Sequence, residues 1–221
     1  MSNYYSKDEL AEIGFASIGE DVNISRRASI YSPNKISIGN HVRIDDFVFI
    51  SGGSGIKIGD YVHIAVASSL YGKFGIEIGD YVNVSGKVTI LSASDDYSGA
   101  CMTGPLVDKN FVEIVGGKVV IENHVIIGTG SVIMPNIILA EGTAVGALSL
   151  VKNSTEPFSI YAGIPAKKIK DRSKRLKDFE IAFTNSIVTA PPRFGVSFSK
   201  QFTSSLRGGG QLEKVLLLRV A

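Results

Sequence analysis

The sequence predicts an all-β chain wound into a three-sided parallel solenoid, and three observations carry that expectation. An aliphatic residue recurs every six positions, a five-residue motif recurs every twenty, and the apolar share of the chain is aliphatic rather than aromatic. The 221 residues are 44% hydrophobic but only 9% aromatic, with no Trp. Ile and Val supply the difference, and their branched Cβ atoms pack well on a pleated surface. The 24 Gly are dispersed along the chain, as turn positions would be.

Ile18-Gly19-Glu20-Asp21-Val22 recurs as Ile38-Gly39-Asn40-His41-Val42, then from Ile58 and again from Ile78. Inside each step of twenty the sixes run Ile18, Ile24, Ile30; Ile58, Ile64, Leu70; and Ile78, Val84, Ile90. They resume at Ile121, Ile127, Ile133, Leu139, Val145 and Val151. A period of six suits neither an amphipathic helix nor one alternating strand. It suits a coil with three sides, each a short strand and its corner, with one aliphatic side chain per side pointing inward. Stacked coils bury their cores against each other.

These residues resemble the hexapeptide-repeat acyltransferases over roughly residues 15 to 172. The resemblance implies a left-handed parallel β-helix, against the usual hand of parallel crossovers. It also implies a homotrimer with sites in the clefts between subunits. The expected layout is an N-terminal cap at 1–16, the β-helix at 17–172 with an extruded loop at 92–118, and a C-terminal helix and tail at 173–221.

Three segments depart from the repeat. Ser6-Lys7-Asp8-Glu9-Leu10 reads as an N-cap and a short helix covering the first coil. Hexapeptide spacing fails from Ser92 to Lys118, which should leave the coil as a loop carrying Asp95, Asp96 and Tyr97. Tyr161-Ala162-Gly163-Ile164-Pro165-Ala166-Lys167 resembles the family's closing motif, and residues 171–182 read as a basic amphipathic helix. The stretch ending RGGGQLEKVLLLRVA shows no usable period.

Acyl transfer from a thioester needs an attacking O–H or N–H, often a base, and donors for the oxyanion. Of the three His, His41 and His124 share a hexapeptide position with Tyr61 and Tyr81, a structural stack. His63 shares its position with Asn23, Arg43 and Asn83, a polar column that could line a cleft or merely decorate a corner. His63, Asn83 and Asp95 are the candidate catalytic residues, with Asp96 and Tyr97 on the substrate. Galactoside- and maltose-type O-acetyltransferases carry a catalytic His at the start of the long loop, and Asp95 holds that place here. The departure favours an amine acceptor, which needs less help than a hydroxyl.

The DDYSG loop and the YAGIPAK ending resemble acetyltransferases of bacterial O-antigen clusters. That resemblance implies an acetyl-CoA-dependent N-acetyltransferase acting on a nucleotide-linked amino sugar, GDP-perosamine being one candidate. By position it places Thr129, Ala147, Lys152, Lys167 and Lys170 on coenzyme A. Small residues such as Thr129 and Ala147 would, however, be required at any corner. A sugar O-acetyltransferase and a non-enzymatic β-helix scaffold are the alternatives. A γ-carbonic anhydrase would need His residues converging on one metal, whereas His41 and His63 differ in register, so no metal is expected.

From Lys167 onward there are twelve Lys or Arg against four Asp or Glu, a net of +8 in a chain of net +2. The excess fits a phosphorylated small ligand, since no nucleic-acid motif accompanies it. The one cysteine, Cys101, excludes an intrachain disulfide and fits a reducing cytoplasm. It reads as a loop thiol, with a catalytic role the alternative. The polar N-terminus is unlike a signal peptide, and no apolar run is long enough to span a bilayer.

Overall fold

The computed structural model describes residues 3–189, so the sequence after Thr189 lies outside the described residues. Three parallel sheets form the sides of a prism. The first side stacks Ser17–Ile18, Ile36–Ile38, Ile56–Ile58, Ile76–Ile78, Val119–Ile121 and Ile138–Leu139. The second stacks Asn23–Ile24, Arg43–Ile44, His63–Ile64, Asn83–Val84, Ile126–Ile127 and Ala144–Val145, then the hairpin strands Ser159–Gly163 and Ala166–Asp171. The third stacks Ser29–Tyr31, Phe49–Ser51, Ser69–Tyr71, Thr89–Leu91, Val132–Ile133 and Leu150–Val151. Partners are twenty residues apart in the early coils, as in Ile38 on Ile58 and Ile58 on Ile78. This is the β-helix that the nested periods predict.

The core differs from the expectation in one respect: each side buries two side chains, not one. Ile36 and Ile38, Val42 and Ile44, and Val48 and Ile50 all point inward from a single coil. The cause is the two-residue period of a strand, which turns positions i and i−2 to the same face. At the i−2 positions after the second corner, some coils use serine instead of valine. Ser68, Ser131 and Ser149 are buried there. Their hydroxyls are satisfied by corner carbonyls: Ser68 donates to Ser85 O at 3.0 Å, and Ser131 and Ser149 donate to Gly146 O at 3.0 and 2.7 Å.

Both ends of the prism are covered. Helix α1, Lys7–Ile13, begins with a reciprocal cap in which Ser6 Oγ accepts from Glu9 N–H and the Glu9 carboxylate accepts from Ser6 N–H at 2.7 Å. It ends at Gly14, whose φ of 82° suits a residue without Cβ. Leu10 inserts into the core. At the other end the closing motif forms an antiparallel hairpin, Ala162 opposite Lys167. The helix expected at 171–182 is displaced: the strand runs to Asp171 and α2 spans Leu176–Thr189. Arg172 accounts for the delay, because its guanidinium donates to the carbonyls of His124 and Gly142 at 2.9 and 3.0 Å and so holds the chain extended.

Candidate active site

Each coil turns the first two corners with the same backbone. The third corner residue takes positive φ, as at His41, Tyr61, Tyr81 and His124 on the first corner and Phe47, Ala67, Lys87 and Leu148 on the second. Its N–H donates to the carbonyl of the preceding coil, Tyr61 to Asn40 O and Ala67 to Asp46 O among them. Left-handed backbone is costly for residues with a Cβ, and the stacked hydrogen bonds offset that cost.

The side chains then diverge. On the first corner Asn40, Asp60, Asp80 and Asn123 each accept a backbone N–H from the coil before, at 2.7–2.9 Å. His41, Tyr61, Tyr81 and His124 pile face to face, with ring centroids 4.6, 5.1 and 5.1 Å apart. This is the structural stack expected for His41 and His124. On the second corner the first two residues are Ala65-Val66, Ser85-Gly86, Gly128-Thr129 and Gly146-Ala147. Apart from Val66 these side chains are small, so this strip of the corner lies low, a shallow trough parallel to the solenoid axis bordered by Lys87 and Leu148 at the third position. Gly128 can carry no side chain, because a Cβ would lie 2.4 Å from Ala147 N. Thr129 donates its hydroxyl to Gly86 O at 2.8 Å, leaving its methyl as lining.

Toward the N-terminus a charged cluster closes the trough. Asn23, Arg43, His63 and Asn83 stand in register on the second side. At the corner position held elsewhere by Ala65 and Ser85 stands Asp45, its side chain 15% exposed. Its carboxylate accepts from Arg43 Nε at 2.6 Å and lies 2.8 Å from His63 Nε2. Burial raises the Asp45 pKa, but the hydrogen bonds to His63 and Arg43 outweigh it and hold the carboxyl below the usual range. His63 Nδ1 lies 3.1 Å from Asn83 Oδ1. Both ring nitrogens of His63 are therefore engaged. Asp45 escaped the sequence reading, although an acid at a corner otherwise made of small residues was the available signal.

Asp95 lies elsewhere. The extruded loop leaves the third corner, between the third and first sides, as a hairpin pairing Ala93–Asp95 with Ile114–Gly116. That corner is opposite the second side, so one chain does not bring Asp95 to His63 or Asn83. The neighbouring acids also separate. The Asp95 carboxylate is exposed, with no hydrogen bond among the described residues. Asp96 accepts from Ser98 N, Ser98 Oγ and Ala100 N at 2.9, 2.9 and 3.1 Å. The backbone and hydroxyl of Ser98 hold its pKa down at about 2. Asp96 thus knots the loop, and Tyr97 beside it is 92% exposed. Cys101 sits 3.7 Å from Asp96, with its thiol pKa pushed up by burial and by the carboxylate.

At the far end of the trough the closing hairpin presents its lysines. Lys168 is tied to Glu156 and Asp171, both at 2.8 Å. Lys167 and Lys170 make no ion pair among the described residues. Lys152 is exposed on the last coil. No group of three or more His, Cys, Asp or Glu among the described residues could hold a metal ion.

The chain is 50% identical over 186 residues to an Escherichia coli dTDP-4-amino-4,6-dideoxy-D-glucose acyltransferase, covering 84% of this chain and 97% of that protein. It belongs to the hexapeptide-repeat acyltransferases. No protein-family model matches it. Among solved members is AntD, an N-acyltransferase from Bacillus cereus, in complex with dTDP and 3-hydroxybutyryl-CoA. That structure shares 45% identity and a TM-score of 0.83, covering 86% of this chain and all of the other. A variant of AntD, in complex with dTDP-4-amino-4,6-dideoxyglucose and coenzyme A, superposes with a TM-score of 0.81 at 45% identity over 84% of this chain and 99% of that one. The hexapeptide-repeat acetyltransferase VCA0836 of Vibrio cholerae shares the fold, with a TM-score of 0.54 at 20% identity over 76% of this chain and 80% of its own. The left-handed β-helix is thus the fold of this acyltransferase.

Proposed function

We propose that this acyltransferase moves the acetyl group of acetyl-CoA onto the 4-amino group of dTDP-4-amino-4,6-dideoxyglucose, working as a homotrimer. The engagement of His63 carries the reading. Its ring is held between Asp45 and Asn83, so the histidine beside the trough is not set up to deprotonate a hydroxyl. An amine needs no such base before attack: its lone pair adds to the thioester carbonyl, the oxyanion collapses, and coenzyme A leaves as thiolate. The nitrogen sheds its proton after bond formation, to a carboxylate or water. Asp95 is that carboxylate in this reading.

Thr129 and Ala147 line the pantetheine arm, while Lys152, Lys167 and Lys170 face the phosphates as point charges. The thioester then lies toward Ser85 and His63. His63 and Asn83 orient the sugar, with Asp96 and Tyr97 shaping the arm that brings Asp95. Because that arm leaves the opposite corner, Asp95 comes from a neighbouring subunit, and closed three-fold symmetry supplies three equivalent clefts. The relatives' nucleotide favours dTDP over the GDP-perosamine that the loop and ending also suggested. The product suits surface-polysaccharide assembly in the cytoplasm. No described helix is long and apolar enough to cross a membrane.

Incubation with acetyl-CoA and a panel of nucleotide-linked sugars, including the dTDP-4-amino sugar and GDP-perosamine, tests this by mass detection. Acetylation of the dTDP-linked amine is expected. Acetylation of hydroxyl sugars alone would overturn it.

A further inference from the structure

The N-terminal strand does more than cover the first coil. Tyr4 pairs antiparallel with Ser25, and Tyr5 N–H donates to Ile24 O at 3.0 Å. This lays Asn3 and Tyr4 along the second side, above the closed end of the trough. A pocket of about 270 Å³ opens there, lined by Asn3, Tyr4, Arg43, Asp45, Asp46 and Val66. The Arg43 guanidinium sits 5.8 Å from the Tyr4 ring centroid and is 58% exposed.

Arg43 is oriented but not consumed. Asp45 takes its Nε, His63 holds Asp45, and Asn83 holds His63. The two terminal amino groups of Arg43 make no hydrogen bond among the described residues. A guanidinium fixed through Nε beside an aromatic ring presents those two groups as a planar fork, the arrangement that suits phosphate oxygens. The carboxylates beneath are already engaged, Asp45 as above and Asp46 by Ser25 and Arg27, so they do not leave the pocket with unpaired negative charge. Strands in a sheet lie about 4.8 Å apart. Asn83, two coils below Arg43, is therefore roughly 10 Å away, enough for a hexose between a phosphate on the fork and the thioester end of the trough.

We infer that Arg43 and the pocket under Tyr4 and Asn3 hold the nucleoside diphosphate end of the sugar substrate, the phosphates on the Arg43 fork and the pyrimidine against Tyr4. The assignment rests on the proposed nucleotide-sugar reading and locates the part of that substrate farthest from the chemistry. Asp45 and His63 are positioning residues for the fork.

Titration calorimetry of the intact protein with dTDP and with thymidine tests it. Arg43→Ala should weaken dTDP binding roughly 10- to 100-fold, the worth of charge-assisted hydrogen bonds, and leave thymidine unchanged. Tyr4→Ala should weaken both ligands. Arg43→Lys keeps the charge without the fork and should fall between wild type and Arg43→Ala. In steady state, KM for the nucleotide sugar should rise in each variant while KM for acetyl-CoA stays constant. Wild-type dTDP affinity in folded Arg43→Ala or Arg43→Lys would overturn the assignment. A wild-type protein that acetylates amino sugars yet ignores dTDP would sink both this site and the choice of nucleotide. An absence of any acetylation with dTDP binding and its Arg43 dependence intact would instead count against the catalytic reading alone.

Discussion

The first and second corners of the prism share a backbone and differ in everything attached to it. Both turn through a left-handed residue whose N–H reaches back to the coil before. The first corner then closes on itself: carboxamides and carboxylates cap amides one coil away, and four rings stack. The second carries mostly Ala, Ser, Gly and Thr, with the Thr129 hydroxyl turned to the Gly86 carbonyl and the buried Ser68 and Ser131 behind it donating to the corner carbonyls. One corner is complete within a single chain; in the proposed trimer the other is half of a cleft. Under the proposed function the contrast separates stability from activity along one repeat, and it can be attacked from either side.

The largest effect is expected where the bare corner depends on the distant arm. Asp95→Asn should lower kcat by roughly 10²–10⁴-fold, the range for a positioned proton acceptor, with the melting temperature unchanged. Filling the trough should cost nearly as much. Ala147→Phe should reduce kcat/KM for acetyl-CoA by roughly 10²-fold through displacement of the thioester. Refolding the two inactive variants together should restore part of the activity, since a cleft combining the trough of one with the arm of the other is intact. No recovery in mixed oligomers would argue that each chain is self-sufficient.

The closed corner should answer in stability alone. Asp60→Ala removes the acceptor for the Asn40 amide and should cost about 1–3 kcal/mol on thermal denaturation, with kcat preserved in the folded fraction. Smaller again is His63→Ala, expected to slow turnover about tenfold or less if the ring orients and does not take a proton; the full loss typical of a general base would reverse that role. Smallest is the lysine pair. Lys167→Ala should raise KM for acetyl-CoA a few-fold at constant kcat, as loss of uniform binding does. Lys168→Ala should leave KM alone, because Lys168 is already spent on Glu156 and Asp171.

The fold was legible because a solenoid writes its core as a period. Ile18, Ile38, Ile58 and Ile78 announce themselves at constant spacing, and Ile38, Ile58 and Ile78 are buried while Ile18 packs against the core at the covered end. The second inward position was harder to see. Its occupants alternate between Val and buried Ser or Thr, and a count of aliphatics passes over the hydroxyls. The polar column of His63 was legible from register. The clamp that Asp45 places on it was not, because it joins residues eighteen apart across a corner. Asp95 and Asp96 are adjacent letters with opposite fates, and only the turn around Ser98 tells them apart.

The extruded arm enters and leaves the solenoid almost at one point. Gly117 N–H donates to Ser92 O at 3.0 Å, Ile76–Ile78 pairs directly with Val119–Ile121, and the Asp80 amide finds Asn123 as though no residues intervened. The body is therefore indifferent to what the arm contains. Because closing a loop grows costlier only slowly with its length, about 0.6 kcal/mol per doubling, the arm can lengthen, shorten or change composition while the coils keep their register. The enzyme is in this sense a spine and a limb joined at a hydrogen-bonded gate, and the limb can be altered without renegotiating the register of the spine.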